Sequence, residues 1–266
     1  TANVFLGQVE APLLIKPYLS SMTRHELLII MTVGMSTIAG SVMVVYTTML
    51  FPIYGSGLIG HFLSASLISV PAAIMYANMM IPSNEKTDFP DEKSDDMYSS
   101  IMDAITQGTK NGLDIFLNVI AMLIVVMALV FLVNSILGLL PNLNGNPITL
   151  ELMLGYLFAP LAWFMGIPWN ESIMAGQLLG VKTALNEFVA YLYLSDTETY
   201  QLGDKSRMIM LYALCGFANF SSVGILLSGL SAMVPERRAD LISVSGKALW
   251  CALLASCLTG FIIGIL

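Results

Sequence analysis

Apolar runs near the length of a bilayer-spanning helix recur along this chain, separated by short polar interruptions. Residues 3–20 are apolar but broken by Gln8, Glu10, Pro12, Lys16 and Pro17. That pattern does not make a continuous span. It fits half of a re-entrant hairpin, which survives at membrane depth only where protein or water covers the backbone. Thr23 with Glu26 three positions on has the capping-box pattern, and a long helix is expected over 24–51 with Ser36, Thr37 and Gly40-Ser41 at its middle. A further span follows at 57–82, where Pro71 predicts a kink because proline removes a helix hydrogen bond. Residues 83–111 break the apolar pattern with Glu85, Asp88, Asp91, Glu92, Asp95, Asp96 and Asp103 against Lys86, Lys93 and Lys110. This reads as a solvated linker whose second half, 97–110, suits an amphipathic helix on the membrane. A clear span over 112–140 ends at Pro141 and the turn-rich 142–147.

The second half begins with 149–166, apolar and aromatic but holding Pro160; by itself it could span, and its aromatic load also suits an interfacial helix. Pro168 and Glu171 then mark a helix start. That helix runs into Gly180-Val-Lys-Thr-Ala-Leu-Asn-Glu-Phe-Val-Ala-Tyr191, and Phe188–Leu194 follows as a short apolar piece. Two short segments meeting at polar residues again predict a hairpin. Within it, Lys182 is the charge expected to neutralise Glu187. A loop at 195–207 precedes a span at 208–233 interrupted by Gly216, Asn219, Ser221, Ser222 and Gly224. After Pro235–Arg238, residues 248–266 form the last span.

The two halves therefore repeat an order: hairpin, carboxylate at the tip (Glu10, then Glu187), helix with polar residues at mid-membrane, final span. Internal repeats whose broken helices meet at the bilayer midplane mark secondary transporters. The expected fold is an all-α membrane protein of transmembrane helices, with two re-entrant helical hairpins, discontinuous helices and an inverted repeat. The chain divides as 1–56 (first hairpin arm and discontinuous helix), 57–147 (spans with a cytoplasmic linker at 83–111, scaffold side), 148–167 (interfacial helix), 168–247 (second hairpin and discontinuous helix) and 248–266 (last span). The stretches 1–56 and 168–247 form the transport side. If the first hairpin opens to the cytoplasm, Lys16, Arg24, Lys86, Lys93, Lys110, Arg237, Arg238 and Lys247 face that side. Those are eight of the eleven basic residues, so the positive-inside bias favours this orientation.

Composition fits the same class: 56% hydrophobic and 11% charged residues, with a net charge of −7 and no basic patch that would serve nucleic acid. The cysteines at 215, 251 and 257 lie in apolar segments without CxxC spacing and read as core residues. His25 and His61 share no ligand-like spacing. The chain opens without Met or a basic leader into an apolar segment, and an N-terminal part is expected to precede it.

An ionisable group at membrane depth costs several kcal/mol and usually faces a cavity or site. Glu187 meets that description; the plainer alternative is a capping Asn186 beside a snorkelling Glu187. Four polar clusters are expected to converge: Asn3–Glu10, Ser36–Ser41, Asn186-Glu187 and Asn219–Ser222. They offer two carboxylates, amides, hydroxyls and aromatics, but no arginine. Such a set suits a neutral solute bearing hydroxyls and amides rather than a phosphate or carboxylate. Asn3, the Leu6 carbonyl, Thr37 and the Ile38 carbonyl provide hard oxygens for Na⁺; the alternative for Thr37 is a hydroxyl bonded back to its own i−4 carbonyl.

Gly7-Gln-Val-Glu-Ala-Pro12, Ser36-Thr-Ile-Ala-Gly40, Lys182-Thr-Ala-Leu-Asn-Glu-Phe-Val-Ala-Tyr191 and Gly216-Phe-Ala-Asn-Phe-Ser-Ser222 together resemble the signature motifs of the concentrative nucleoside transporters, in that family's order. The resemblance covers the chain but only the C-terminal part of a family member. It implies cation-driven nucleoside uptake across the cytoplasmic membrane by a multi-pass homotrimer in contact with lipid, with elevator-like movement of the hairpin-bearing part. By it, Gln8 and Glu10 bond the nucleobase with Val42 packed near it. Glu187, Asn219 and Ser222 hold the ribose hydroxyls beside Phe217, and Asn3, Leu6, Thr37 and Ile38 hold the coupling Na⁺. Val9 departs from the family's Thr or Ser and removes a base-side hydrogen bond worth about 0.5–1.5 kcal/mol. Proton coupling, known in some bacterial relatives, is the alternative to Na⁺. An intramembrane hydrolase using Glu10 and Glu187 is the rival class. Against it stands the absence of Ser–His, Cys–His or HExxH arrangements in the sequence.

Overall fold

The structure, a computed structural model, describes residues 2–83, 99–141 and 147–266, and every regular element among them is helical. The chain falls into two compact units, 1–89 with 151–266, and 90–150.

The first unit opens with the interrupted stretch. Prolines at 12 and 17 each remove a backbone donor, so 2–22 yields only 3₁₀ turns at Ala2–Val4 and Lys16–Tyr18 and the single turn α1 (Glu10–Leu13). The capping box forms as expected: Glu26 N donates to Thr23 Oγ1 at 3.2 Å, and Thr23 N to Glu26 Oε2 at 2.8 Å. It starts α2 (Arg24–Ser36). The helix expected over 24–51 is broken, because Thr37 and Ala39 are extended and α3 (Gly40–Tyr54) begins afresh. The hydroxyls of Ser36 and Thr37 both turn back onto the Val33 carbonyl, at 3.2 and 3.4 Å, and so compete with the helical ladder at that turn. Gly55 and Gly57, both at positive φ, turn the chain into α4 (Leu58–Met80), which continues through Pro71. A buried row of small residues, among them Ala65, Ser69, Ala72 and Ala73, lets α4 pack against α2 and the last helix.

In the second half, α6 (Leu150–Phe164) meets α7 (Trp169–Ala184) at a bend of 117°. Gly166, at φ +95°, lies in the bend. The helices approach closely: a Cβ on Gly176 would lie 2.4 Å from the Gly155 carbonyl oxygen. A two-residue turn then leads into α8 (Glu187–Ser195), so that α7 and α8 form a helical hairpin. The span expected over 208–233 is two helices, α9 (Asp204–Ala213) and α10 (Phe220–Met233), broken between them at the glycine and asparagine singled out in the sequence. The last helix, α11 (Arg238–Ile265), starts at Arg238 rather than at 248. Asp240 in its first turn suits the positive helix end and accepts from both Arg24 and Arg237, while Ser243 and Ser245 return their hydroxyls to the helix's own carbonyls. Among the described residues, three stretches are long and apolar enough to cross a membrane: Arg24–Tyr54, Leu58–Met80 and Pro235–Ile265.

The second unit holds α5 (Ile101–Leu137), which Ser100 caps by accepting from Asp103 N at 3.1 Å. The surface helix expected at 97–110 and the span at 112–140 are one helix of 37 residues. No proline separates them, and the glycines at 108 and 112 weaken a helix without ending it. Most of the charged linker (84–98) and the turn-rich 142–146 lie outside the described residues.

Candidate functional site

The two helix breaks cross each other. Phe217 N donates to the Thr37 carbonyl at 3.3 Å, and Gly216, at φ +145°, lies so close to Ser36 that a Cβ there would stand 2.8 Å from its carbonyl oxygen. At this crossing Asn219 caps α10 by accepting from Ser222 N at 2.7 Å. Its amide nitrogen then reaches the hairpin, donating to Glu187 Oε2 at 2.8 Å. Tyr46 of α3 donates to the other carboxylate oxygen, Oε1, also at 2.8 Å. Glu187 is only 6% exposed, and it opens α8 directly after the cap Asn186, whose side chain accepts from Val189 N at 3.0 Å. The carboxylate thus sits at a positive helix end, with one donor from each broken helix. The plainer reading of Asn186 as a cap is correct; that of Glu187 as a snorkelling surface group is not, since its carboxylate is buried and doubly bonded.

A helix that stops leaves its last carbonyls without internal partners. At the end of α9, Met210 and Tyr212 carbonyls are taken by Leu214 N and Cys215 N. Leu211 and Ala213 carbonyls are taken instead by the hairpin: Tyr191 OH donates to Leu211 O at 2.8 Å, and Lys182 Nζ to Ala213 O at 2.9 Å. The expected ion pair between Lys182 and Glu187 is therefore not made. The ion pairs among the described residues are Arg24–Asp240 and Arg237–Asp240. Lys182 is fully buried and joins the hairpin to the end of α9. Lys182→Met keeps the stem but leaves the Ala213 carbonyl unpaired, and is expected to lower the detergent-solubilised melting point by the equivalent of about 1–3 kcal/mol. An unchanged transition in a thermal melt would show that the bond contributes nothing.

The N-terminal segment meets the first break. Asn3 Nδ2 donates to Thr37 Oγ1 at 2.5 Å and to Val33 O at 2.9 Å, and Thr37 Oγ1 lies 3.1 Å from Asn3 O. Thr37 makes the i−4 bond weighed from the sequence, at 3.4 Å, and its hydroxyl also meets Asn3. The Thr37 hydroxyl and the Asn3 and Val33 carbonyl oxygens gather there, hard oxygens of the kind that suit a cation such as Na⁺. Gly40 N donates to Phe5 O at 3.0 Å, which runs Leu6 beside the break that holds Ile38. Gln8 is buried with its Oε1 unpaired, next to Gly34 and Leu226, and Val9 abuts Gly229. Glu10 is exposed, its carboxylate folded over Gly7. Among the described residues no hydrogen bond links Glu10 to Glu187, so the two carboxylates are not in direct partnership. Ser222 is buried, and Val42 and Phe217 are half-buried near the N-termini of α3 and α10.

The sequence reading missed Tyr46, Tyr191 and the role of Lys182. A signal was available: a buried tyrosine needs a partner for its hydroxyl, and Tyr46 follows the apolar run Val42–Val45.

Broken helices crossing at their interruptions, with a buried carboxylate held between them and a helical hairpin, follow the architectural pattern of secondary transporters. The chain belongs to the family described as "Na+ dependent nucleoside transporter C-terminus", which residues 61–264 match. It is 40% identical to the uncharacterized transporter YutK of Bacillus subtilis over 99% of this chain and 65% of that protein. It is 36% identical to nucleoside permease NupC of Helicobacter pylori (99% and 63%), and 37% identical to human solute carrier family 28 member 3 (100% and 40%). The solved structure of CNTnw in an inward-facing substrate-bound state superposes with a TM-score of 0.87 at 36% identity, covering 99% of this chain and 62% of the other. The chain thus spans less than two thirds of the length of these relatives. They are transporters rather than enzymes, which sets aside the hydrolase reading.

Proposed function

We propose that this chain forms the substrate- and ion-binding part of a Na⁺-coupled nucleoside symporter of the cytoplasmic membrane. The observation that carries this reading is the buried Glu187 carboxylate, held by Tyr46 and Asn219 from two helices broken at one crossing. A carboxylate oxygen that accepts one bond keeps capacity for another, which suits the O–H groups of a ribose. In this assignment Glu187, Asn219 and Ser222 bind the sugar beside Phe217, while Gln8 and Glu10 meet the base near Val42. The unpaired Oε1 of buried Gln8 supports a polar guest at that point. Asn3 and Thr37, with the Leu6 and Ile38 carbonyls, hold Na⁺; the clustered oxygens support that choice over H⁺ coupling, as does the family's description as Na⁺ dependent.

The two hairpins are re-entrant in this reading, related by an inverted repeat, and move in an elevator-like step with the broken helices. The stretch 57–147 serves as scaffold, 148–167 lies at the interface, 248–266 is the last span, and the protein works as a homotrimer. The test is radiolabelled uridine uptake by the full-length protein in proteoliposomes. Uptake should rise with an inward Na⁺ gradient and remain low with a proton gradient alone; uptake indifferent to both gradients contradicts the symporter. Thr37→Ala removes one ion ligand and should raise the half-saturating Na⁺ concentration about tenfold, the effect of roughly 1.4 kcal/mol. An unchanged Na⁺ dependence would remove Thr37 from the ion site.

A further inference from the structure

Tyr46 belongs to neither the expected base, sugar nor ion set, yet it makes the bond that holds Glu187 from the side of the first half. It is buried at 1% exposure, and its ring packs at 4.8 Å from that of Tyr191 and at 6.3 Å from those of Phe62 and Phe188. Two other tyrosines satisfy their hydroxyls on backbone carbonyls, Tyr191 on Leu211 and Tyr54 on Arg207, and Tyr212 meets the His61 ring. Tyr46 donates instead to a carboxylate, where the bond is charge-assisted and fixes direction as well as distance. With Tyr46 on Oε1 and Asn219 on Oε2, the carboxylate cannot rotate without breaking a bond, and both oxygens still have acceptor capacity.

The placement of Tyr46 along its helix matters equally. It stands on α3, which begins at Gly40 directly after the break where Thr37 meets Asn3. Asn219, the other donor, caps α10 beyond the break where Phe217 N meets Thr37 O. Both donors on Glu187 therefore come from helices whose starting points are set around Thr37. Two routes thus connect the Asn3–Thr37 contact to the carboxylate, one along α3 to the Tyr46 hydroxyl and one through Phe217 to Asn219.

We propose that Tyr46 is a positioning residue: its hydroxyl orients Glu187 for a vicinal diol and ties the aim of that carboxylate to the helix break bearing the Asn3–Thr37 oxygens. The proposal rests on the nucleoside reading above. It does not make Tyr46 a ligand; the residue acts through Glu187.

Tyr46→Phe removes the hydroxyl and keeps the ring packing. Equilibrium binding to full-length protein by titration calorimetry, in saturating Na⁺, separates the possibilities. Uridine affinity should fall about tenfold, the scale of one hydrogen bond to a charged group. Affinity for 2′,3′-dideoxyuridine, which lacks the diol, should stay within twofold. Adding Tyr46→Phe to Glu187→Gln should cost nothing further, because the two changes act on one interaction. The Na⁺ dependence of uridine binding should flatten in Tyr46→Phe. Equal losses for both nucleosides, additive losses in the double variant, unchanged uridine binding, or a Tyr46→Phe protein that does not fold would each overturn the proposal. Wild-type protein that binds no uridine would contradict the nucleoside reading itself.

Discussion

Glu187→Gln is expected to lower initial rates of Na⁺-driven uridine uptake about 100-fold at subsaturating substrate. The carboxylate accepts from Tyr46 on one oxygen and from Asn219 on the other. An amide of the same size has one acceptor and turns its NH₂ towards one of those donors, so one clamp bond is lost and its orientation with it. In the proposed assignment, the ribose hydroxyls also exchange a charged acceptor for a neutral one. Hydrogen bonds to charged groups are worth about 1.5–3 kcal/mol each, and a loss of roughly 3 kcal/mol in transition-state binding gives the stated factor. The fold should survive, since a buried neutral amide is cheaper to desolvate than a carboxylate. Thermal melts within a few degrees of wild type, together with collapsed uptake, would fit a site role. Wild-type uptake by the variant would remove Glu187 from the site.

Gly216→Ala carries the second large expected effect, and it falls on stability as well as transport. The residue sits at φ +145°, where side-chain-bearing residues are strained, and its new Cβ would lie 2.8 Å from Ser36 O and 3.0 Å from Ser36 C. Backbone atoms cannot swing aside as a flexible side chain can. Strain and overpacking together are expected to cost on the order of 3–5 kcal/mol. The crossing would open, and with it the Phe217 N bond to Thr37 and the placement of Asn219 on Glu187. Gly55→Ala is the matched control: φ is also positive, at +69°, but nothing lies within 4 Å of the added carbon, so it isolates the strain. If both variants melt alike, contact at the crossing is not what Gly216 provides.

The polar residues that gather at the crossing were legible because each stands against an apolar background. Asn3, Thr37, Glu187 and Asn219 could be picked out from the sequence, and the structure links them by Asn3–Thr37, Thr37–Phe217 and Glu187–Asn219 contacts. The break after α9 was similarly marked by Gly216 and Asn219; a discontinuous helix was expected within 1–56 as well, but Ser36, Thr37 and Gly40-Ser41 did not say where in 24–51 it would break. Partners were harder to read. Lys182 is five positions before Glu187 and the obvious counter-charge, but it precedes the hairpin turn and points to the end of α9. Tyr46 is distant in sequence, and its choice of Glu187 depends on how α3 packs against α8. Glu10 looked equivalent to Glu187 because each is a carboxylate near an expected hairpin tip. Residue types alone do not report that one is exposed and the other enclosed. Helix ends erred for a related reason: serines and an early acid at the start of α11 look like a loop, yet each is satisfied inside a helix.

A structure of the full-length protein with uridine bound in Na⁺ tests the central claim most directly. The ribose hydroxyls should lie within hydrogen-bond distance of Glu187 and Asn219, with the carboxylate still held by Tyr46. Uridine seated away from the crossing of the two broken helices, with Glu187 making only the bonds it makes without substrate, would contradict it.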